Sequence, residues 1–210
     1  MFSTYSDFLT QLGKSVTFEG DNPGDASVAT LQTVIALAET RINRELRTSY
    51  NETAFSGTTT SNVFTLPAKF RSASIVHVGG LPLEPVSIEF LTEFLDAVPA
   101  GDCQFFATVA GTFKFGPALA DGTSVQGYYF KAFDALSDST FSSNTLIAAA
   151  PDLYLAACMV EAAPLYAFMD QIQLWEGKYQ MIRDRLNEER RGSASSAGRA
   201  KVRSSTRLLG

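Results

Sequence analysis

The sequence predicts an α+β protein: a helical bundle formed by the N- and C-terminal segments, an inserted small antiparallel β-rich region and an extended basic C-terminal tail. Three observations support this class. Apolar residues recur every three or four positions near both ends of the chain, which is typical of amphipathic helices. Between them lie short runs rich in β-branched and aromatic residues, separated by Gly, Pro and Asp. The last residues lose nearly all large apolar side chains.

The same patterns set the expected domain boundaries. We expect residues 1–50 and 140–192 to form the helical bundle, residues 51–139 the β-rich insertion, and residues 193–210 the tail. The chain has 210 residues, of which 45% are hydrophobic, so it is long and apolar enough to bury a core. This composition lies outside the range of disordered proteins.

Two helices are predicted before residue 50. The first spans residues 4–12, with one apolar face formed by Tyr5, Phe8, Leu9 and Leu12. The second follows the sequence GDNPGD, and Asp25 is its expected N-cap. Its apolar positions are Val28, Leu31, Ile35, Ala38, Ile42 and Leu46. Arg41, Arg44 and Arg47 lie in its last turns, where they suit the helix dipole and form either a solvated face or a subunit interface.

The segment from residue 51 to residue 139 predicts a polar loop followed by a small sheet. The loop is NETAFSGTTTSN, and the strands lie in VFTLPAKF, ASIVHVGGLPLEPV, CQFFATVAG, GTFKFGPAL and SVQGYYFKAF. Two glycine-containing pairs, Gly79-Gly80 and Ala110-Gly111, suit tight hairpins. Ser87 can cap a helix in SIEFLTEFLDAV, which should lie across the sheet.

Two further helices are predicted after a polar connector, DALSDSTFSSNT. Pro151 suits the first turn of an almost wholly apolar helix, and Pro164 should kink or restart it near Ala163. The last helix should end at Gly192. Its apolar face is formed by Ile172, Trp175, Tyr179, Ile182 and Leu186. Both helices should share one core with the helix that begins near Val28.

Charge is distributed unevenly along the chain. The net charge of −5 comes from 17 Lys and Arg against 22 Asp and Glu. Six of these cations and none of the acids lie in residues 190–210, so this segment carries +6 and residues 1–189 carry −11. An acidic body repels polyanions, which argues against a sequence-reading DNA-binding protein.

The basic tail is too poor in apolar side chains to fold alone. We therefore predict that it binds a partner, with protein docking favoured over nucleic acid. The expected partner-binding residues are Arg190, Arg191, Arg199, Lys201, Arg203, Arg207, Leu208 and Leu209.

Candidate catalytic and metal-binding residues are isolated from one another. His77, the single histidine, lies in a strand pattern without a zinc or metalloprotease motif. Cys103 and Cys158 lie in apolar contexts that predict buried free thiols in a reducing compartment. Asp134 and Asp138 could form an acid/base pair, but a serine-rich connector favours turn and capping roles. We expect neither an enzyme nor a cofactor or metal.

A membrane span is not expected either. The longest apolar stretch, residues 153–168, contains Glu161 and Pro164 and is only marginally long enough to cross a bilayer. The N-terminus MFSTYSDFLTQLGK lacks the charged and apolar regions of a signal peptide. The stretch therefore predicts a buried helix of a soluble protein.

A set of segments between residues 4 and 191 carries a family resemblance. These segments are TYSDFLTQL, IALAETRINRELR, an LPxxF turn leading into IVHVGGLPLEPVS, a YYF strand before ALSDST, and PDLYLAACMVEAAPLYAFMDQIQLWEGKY. Together they resemble head-to-tail adaptor (connector) proteins of tailed bacteriophages, especially those of short-tailed phages.

The resemblance implies a structural virion protein without a catalytic site. Copies of such a protein form a ring, commonly of twelve, beneath the portal, join the DNA-filled head to the tail and continue the genome channel. The implied fold is a helical bundle with a β-rich insertion facing the tail or nozzle proteins and a C-terminal extension that docks on the portal. The protein would be made in the host cytoplasm and act at the head–tail interface of the virion.

Double-stranded DNA would pass through such a ring without specific binding, because an acidic wall holds DNA weakly. Two alternatives stay open from residue chemistry. One is a small hydrolytic processing enzyme, in which His77, Asp134 or Asp138 would be required for activity. The other is a soluble interaction module unrelated to phages.

Overall fold

The computed structural model describes residues 2–19, 27–98, 100–166 and 168–199, with side chains at the C-terminal end described up to Arg191. It confirms the α+β class. The chain divides into two compact units, which we call the helical unit (residues 1–50 and 133–210) and the β unit (residues 51–132). Each unit has its own hydrophobic core.

The described residues contain six α-helices and eight strands. The helices are α1 (Tyr5–Glu19), α2 (Val28–Glu45), α3 (Ile88–Ala97), α4 (Thr145–Ala149), α5 (Pro151–Tyr166) and α6 (Ile172–Arg199). The strands are β1 (Glu52–Thr58), β2 (Val63–Thr65), β3 (Phe70–Val78), β4 (Leu81–Pro82), β5 (Glu84–Pro85), β6 (Phe105–Val109), β7 (Thr112–Gly116) and β8 (Ser124–Lys131).

Helix α5 lies at the centre of the helical unit. It begins at Pro151, as predicted, and its apolar side chains point in all directions around the helix. Such a helix must be covered on every side, and α1, α2 and α6 pack against it. Phe8 of α1 meets Tyr154 of α5 edge to face at 6.4 Å between ring centroids. In the described part of the chain, no helix combines the length and apolar character needed to cross a membrane.

Several predicted helix ends were wrong. Helix α1 continues past Leu12 to Glu19, because Val16 extends the same buried face. The N-cap of α2 is Ser27, whose hydroxyl accepts a hydrogen bond from the Thr30 amide at 3.3 Å. The predicted cap, Asp25, lies outside the described residues.

The prolines and glycines of the C-terminal helices also have smaller effects than predicted. Helix α5 runs through Pro164 to Tyr166 instead of restarting near Ala163, because a proline in the last turn removes only one backbone hydrogen bond. Helix α6 passes Gly192 and continues to Arg199. A glycine in a helix costs only about 1 kcal/mol, so Gly192 alone does not stop the helix. The part of the predicted extended tail up to Arg199 is therefore helical, and residues 200–210 lie outside the described residues.

The polar connector before α4 belongs to the core of the helical unit. Phe133, Leu136 and Phe141 are buried there. The buried Glu39 carboxylate of α2 accepts a hydrogen bond from the Leu136 amide at 2.6 Å. Asn144 caps α4 by accepting hydrogen bonds from two backbone amides at 3.1 Å. The Glu39 hydrogen bond holds the connector against α2, and Asn144 joins the connector to α4.

The β unit contains two four-stranded sheets, where a single antiparallel sheet was predicted. One has the order β1-β8-β3-β4 and the other β2-β7-β6-β5. All pairs are antiparallel except β5 and β6. The segment predicted as a polar loop contains β1, which pairs with β8 from Glu52 opposite Phe130 to Thr58 opposite Ser124. Its Phe55 is buried while most of the other side chains are exposed, so its polarity resembled that of a loop.

Both predicted hairpins and the capped helix of the β unit are confirmed. Gly79-Gly80 joins β3 to β4, and Ala110-Gly111 joins β6 to β7. The Ser87 hydroxyl accepts a hydrogen bond from the Phe90 amide at the start of α3. Helix α3 packs on β6 and β7. Its Leu91 lies 2.6 Å from where a side chain on Gly116 would begin, so β7 needs glycine at that position.

Aromatic side chains from both sheets form the core of the β unit. Phe113 is fully buried at its centre. Its ring centroid lies between 4.9 and 6.4 Å from the rings of Phe55, Phe64, Phe70, Phe106 and Phe115.

Candidate interface at the C-terminal helix

Helix α6 carries the start of the predicted partner-binding segment, so its attachment decides where that segment begins. The predicted apolar face is confirmed. Tyr179 is fully buried, and partly buried side chains on either side of it pack against the core of the helical unit: Ile172, Trp175, Ile182 and Leu186. This face holds the first four turns of α6 against α5.

Arg41 of α2 connects three helices. Its guanidinium lies 3.3 Å from the Glu45 carboxylate of α2, 3.8 Å from the Glu161 carboxylate of α5 and 2.5 Å from the Glu176 carboxylate of α6. It also lies over the Tyr179 ring, 4.4 Å from the centroid. Because only 15% of the Arg41 side chain is exposed, water screens these interactions weakly.

The pKa values in this network reflect both burial and pairing. Burial alone would lower the pKa of Arg41, but the hydrogen bond and charge of Glu176 raise that pKa above its ordinary value. The same hydrogen bond lowers the pKa of Glu176. Both groups are therefore charged at neutral pH, and the network ties α6 to α2.

A second set of contacts lies further along α6. The Arg183 guanidinium pairs with the Glu45 carboxylate of α2 at 2.9 Å. Asn187 accepts a hydrogen bond from the Arg47 amide at 2.8 Å and donates one to the Glu45 carbonyl oxygen at 3.4 Å. Asn187 thus satisfies backbone groups at the C-terminal end of α2.

The three α2 arginines differ in their surroundings. Arg44 is 70% exposed, which fits both a solvated face and a subunit interface. Arg41 is enclosed within the helical unit, and the Arg47 side chain donates to the carbonyl oxygens of Asn43 and Leu46. Sequence reasoning missed Asn187 and Glu176, because no local pattern marks a polar residue whose partner lies more than a hundred positions away.

The predicted partner-binding residues are only partly described. Arg190 is half-buried and Arg191 is exposed, both on α6. Arg199 is the last residue of α6, and its side chain lies outside the description. The remaining predicted residues lie outside the described residues altogether: Lys201, Arg203, Arg207, Leu208 and Leu209.

A groove runs beside α6 within the helical unit. It has a volume of about 430 Å³, with side walls formed by α6 and by the end of α4 and the start of α5. Asp152, Arg185 and Glu189 contribute charged groups to it, and Arg185 pairs with Glu189 at 3.2 Å. Its apolar lining comes from Tyr50, Ala149, Ala150, Met181, Ile182 and Leu186. We call this the α6 groove.

Two exposed apolar residues of α6 lie off its buried face. Leu174 is 65% exposed and Met181 is 68% exposed. Their positions do not fit the three- and four-residue spacing of the core face, and this departure is a signal that sequence reasoning could have used. Apolar side chains left in water on a folded domain often mark a contact surface.

The isolated chemical candidates are not assembled into a site. His77 lies in β3 beside Gln126 and Tyr128, on the lining of an open depression of about 440 Å³. Burial raises the pKa of the Cys103 thiol to about 11 and raises that of the fully buried Cys158 further. Both thiols are free and protonated at neutral pH. Asp138 is exposed on the connector. Among the described residues, no group of three or more His, Cys, Asp or Glu is arranged to hold a metal ion.

Comparison with known proteins gives one match. The family model described as "SU10 adaptor protein" matches residues 3–203, nearly the whole chain. No curated protein matches the sequence.

Proposed function

Since the chain belongs to the SU10 adaptor protein family, and is thus a phage adaptor and a structural component of the virion at the head–tail junction, we propose that its copies form a ring beneath the portal. This ring would join the DNA-filled head to the tail and continue the channel through which the genome leaves. Proteins of an adaptor family are structural and not normally enzymes. Portal and tail proteins are the general partners that such a position implies.

The observation that carries the proposal is the anchoring of α6. The Arg41 network and Asn187 fix this helix to α2. The helix then continues twelve residues past Asn187 to Arg199, a distance of about 18 Å. A rigid helix fixed at one end directs the residues that follow it. We propose that residues 193–210 bind the portal.

Charge supports this assignment. The segment from residue 190 to the C-terminus carries +6, with Arg190 and Arg191 on α6. Arginine pairs with carboxylates through two parallel hydrogen bonds, so an acidic groove on the portal would suit this segment. Residues 1–189 carry −11, and such a body lets double-stranded DNA pass without holding it.

We assign the tail side of the ring to the β unit. Helix α6 and the cationic C-terminus belong to the helical unit, and the β unit is a separate compact body with its own aromatic core. This division gives each partner, portal or tail, its own folded unit. Twelve copies are proposed on family resemblance, with synthesis in the host cytoplasm.

Truncation tests the portal assignment. A chain ending at Arg191 should fold, because it keeps every described residue of the two hydrophobic cores. We expect the thermal midpoint to stay unchanged and the helical circular dichroism signal to fall only by the share of residues 192–199, while co-sedimentation with portal rings is lost.

A full-length variant with four substitutions separates charge from length: Arg199→Gln, Lys201→Gln, Arg203→Gln and Arg207→Gln. It should bind the portal more weakly than the natural chain and lose most of its salt dependence. Normal portal binding by the truncated chain would refute the docking role. Imaging of assembled particles checks the ring itself, which should appear between head and tail.

A further inference from the structure

The α6 groove is open and has a partly apolar lining, bordered by the Asp152 carboxylate and by Glu189, which pairs with Arg185. Ala149 and Ala150 contribute only methyl groups to its wall, which leaves space above them. Met181 exposes two thirds of its surface there. The Asp152 and Glu189 carboxylates lie among the same lining residues. A matching occupant is a single large apolar side chain with a cation beside it.

Phe18 has this character. It lies in the last turns of α1 and is 87% exposed, the highest value among the exposed large hydrophobic side chains. Lys14 lies four residues earlier, on the same face of the helix. A fully exposed phenylalanine on a folded domain leaves apolar surface in water that a partner can cover.

Phe18 cannot reach the α6 groove of its own chain. It lines a separate depression with Trp175, near the start of α6. Trp175 lies six residues, about 9 Å, before Met181 at the near end of the groove. Met181 and Arg185 also lie roughly 80–120° from Trp175 around the axis of α6, at 3.6 residues per turn. Phe18 and the groove are thus two distinct surfaces of one helical unit.

We propose that Phe18 of one copy inserts into the α6 groove of the adjacent copy, with Lys14 facing the Asp152 and Glu189 carboxylates. This inference rests on the ring of the proposed function. A contact between two different surfaces is heterologous, and its repetition forms a ring when the rotation between copies closes, as the proposed ring requires, whereas a self-complementary contact stops at a dimer. The second copy supplies both the large apolar side chain, Phe18, and the cation, Lys14, that match the groove.

The proposed contact is small. A buried aromatic side chain covers about 150–250 Å², while a stable interface between proteins buries at least about 1,200 Å². Free subunits should therefore stay monomeric, and the contact should form where the portal holds copies side by side. The test must use complexes of adaptor and portal.

Cysteine crosslinking tests the contact directly. The background is Cys103→Ser, because Cys158 is fully buried and needs no replacement. The double variant Phe18→Cys with Ala149→Cys, assembled on portal rings and oxidised, should give a ladder of covalent multimers in denaturing gels. The matched control pairs Leu37→Cys with Ala149→Cys, since Leu37 is an exposed apolar residue on α2 of the same unit. It should give no ladder.

The other outcomes are distinguishable. A ring seen by imaging with no ladder from Phe18→Cys and Ala149→Cys overturns this inference and leaves the proposed function standing. A Leu208→Cys and Ala149→Cys pair that crosslinks instead identifies the C-terminal segment as the occupant and also overturns it. If imaging shows no ring at all, the proposed function fails together with this inference. Phe18→Asp is a separate test. This variant should fold normally because Phe18 is exposed, and loss of adaptor copies from the portal in this variant supports the contact.

Discussion

The helical unit and the β unit are stabilised by different kinds of core. The helical unit buries mainly aliphatic and alanine side chains, with a minority of aromatic ones. Polar groups of α2 bind distant segments of this unit: Glu39 binds the connector, and Arg41 binds α5 and α6. The β unit is held by aromatic rings that surround Phe113. Glu39 is the one charged residue that is buried in the described part of the chain.

The two kinds of core have different effects: one mainly stabilises its unit, and the other fixes the positions of particular groups. Burial of the apolar surface of aromatic rings is strong and non-directional, so it stabilises two small sheets without fixing distant groups. Buried polar pairs contribute less net free energy but accept only one geometry. The second kind suits α6 in the proposed function, where this helix positions a partner-binding segment. Substitutions should therefore disturb the two units in different ways.

The largest expected effect comes from Phe113→Ala in the β unit. Phe113 is fully buried and touches five aromatic rings, so truncation leaves a large cavity. We expect a loss of about 4 kcal/mol in the unfolding free energy of this unit. Hydrogen exchange followed by mass spectrometry should show faster exchange in β6, β7 and β8, with α2 and α5 much less affected.

Tyr128→Ala is the matched control in the same unit. Tyr128 lies on β8 but is 51% exposed, so its truncation should change stability by less than about 1 kcal/mol. If both variants destabilised the β unit equally, the aromatic cluster would not be its principal source of stability.

Arg41→Met should disturb the helical unit by a smaller amount. The methionine fills similar space, but Glu45, Glu161 and Glu176 lose their shared cation and repel one another. We expect a loss of about 2 kcal/mol, below the full cost of breaking a buried ion pair because the network is partly exposed. Protection of α6 amides should fall most, and portal binding should weaken with it.

Arg44→Met provides the comparison for charge alone. Arg44 is also on α2, but it is 70% exposed, so we expect a change within about 0.5 kcal/mol. An equal loss in both variants would mean that the positive charge of α2, and not the position of Arg41, holds α6 in place.

Local patterns predicted much of this fold. The core faces of α2 and α6, the cap at Ser87 and the two glycine hairpins follow from spacing and turn chemistry within a few residues. The failures share a physical cause. Strand β1 was predicted as a loop because only Phe55 marks its buried side. The end of α1 depends on packing, and α6 passes a glycine whose energetic cost is too small to stop a helix.

The candidate interface was predictable only in its charge. The excess of arginine after residue 189 is visible in the sequence, whereas the contacts that aim it are not. Asn187 binds Arg47, and Glu176 binds Arg41, across more than 130 residues. The α6 groove likewise needs α4, α5 and α6 in place. Exposed Met181 and Phe18 could have been recognised as apolar residues outside a core pattern, but their neighbours could not.

Glu39 and Glu176 give the finest test of the comparison, because their pKa values move in opposite directions. Burial raises the pKa of Glu39, although the hydrogen bond from Leu136 opposes this. The folded protein then binds a proton more tightly than the unfolded chain. The unfolding free energy should fall as pH rises from the ordinary glutamate value, about 4.3, to the raised pKa of Glu39. In contrast, the Arg41 hydrogen bond lowers the pKa of Glu176, so its contribution is lost as pH falls below 4.3.

Glu39→Gln should therefore gain stability relative to the natural chain as pH increases from 4 to 7, since the amide oxygen can still accept the Leu136 hydrogen bond. Glu176→Gln should show the reverse, with a loss at pH 7 that shrinks as pH falls below 4.3. Chemical denaturation at several pH values measures both differences. Two curves parallel to that of the natural chain would mean that neither carboxylate changes its proton affinity on folding. Opposite slopes would show that the two carboxyl groups differ. Glu39, which binds the connector, resists ionisation in the folded protein, whereas folding favours the ionised form of Glu176, through which α6 binds α2.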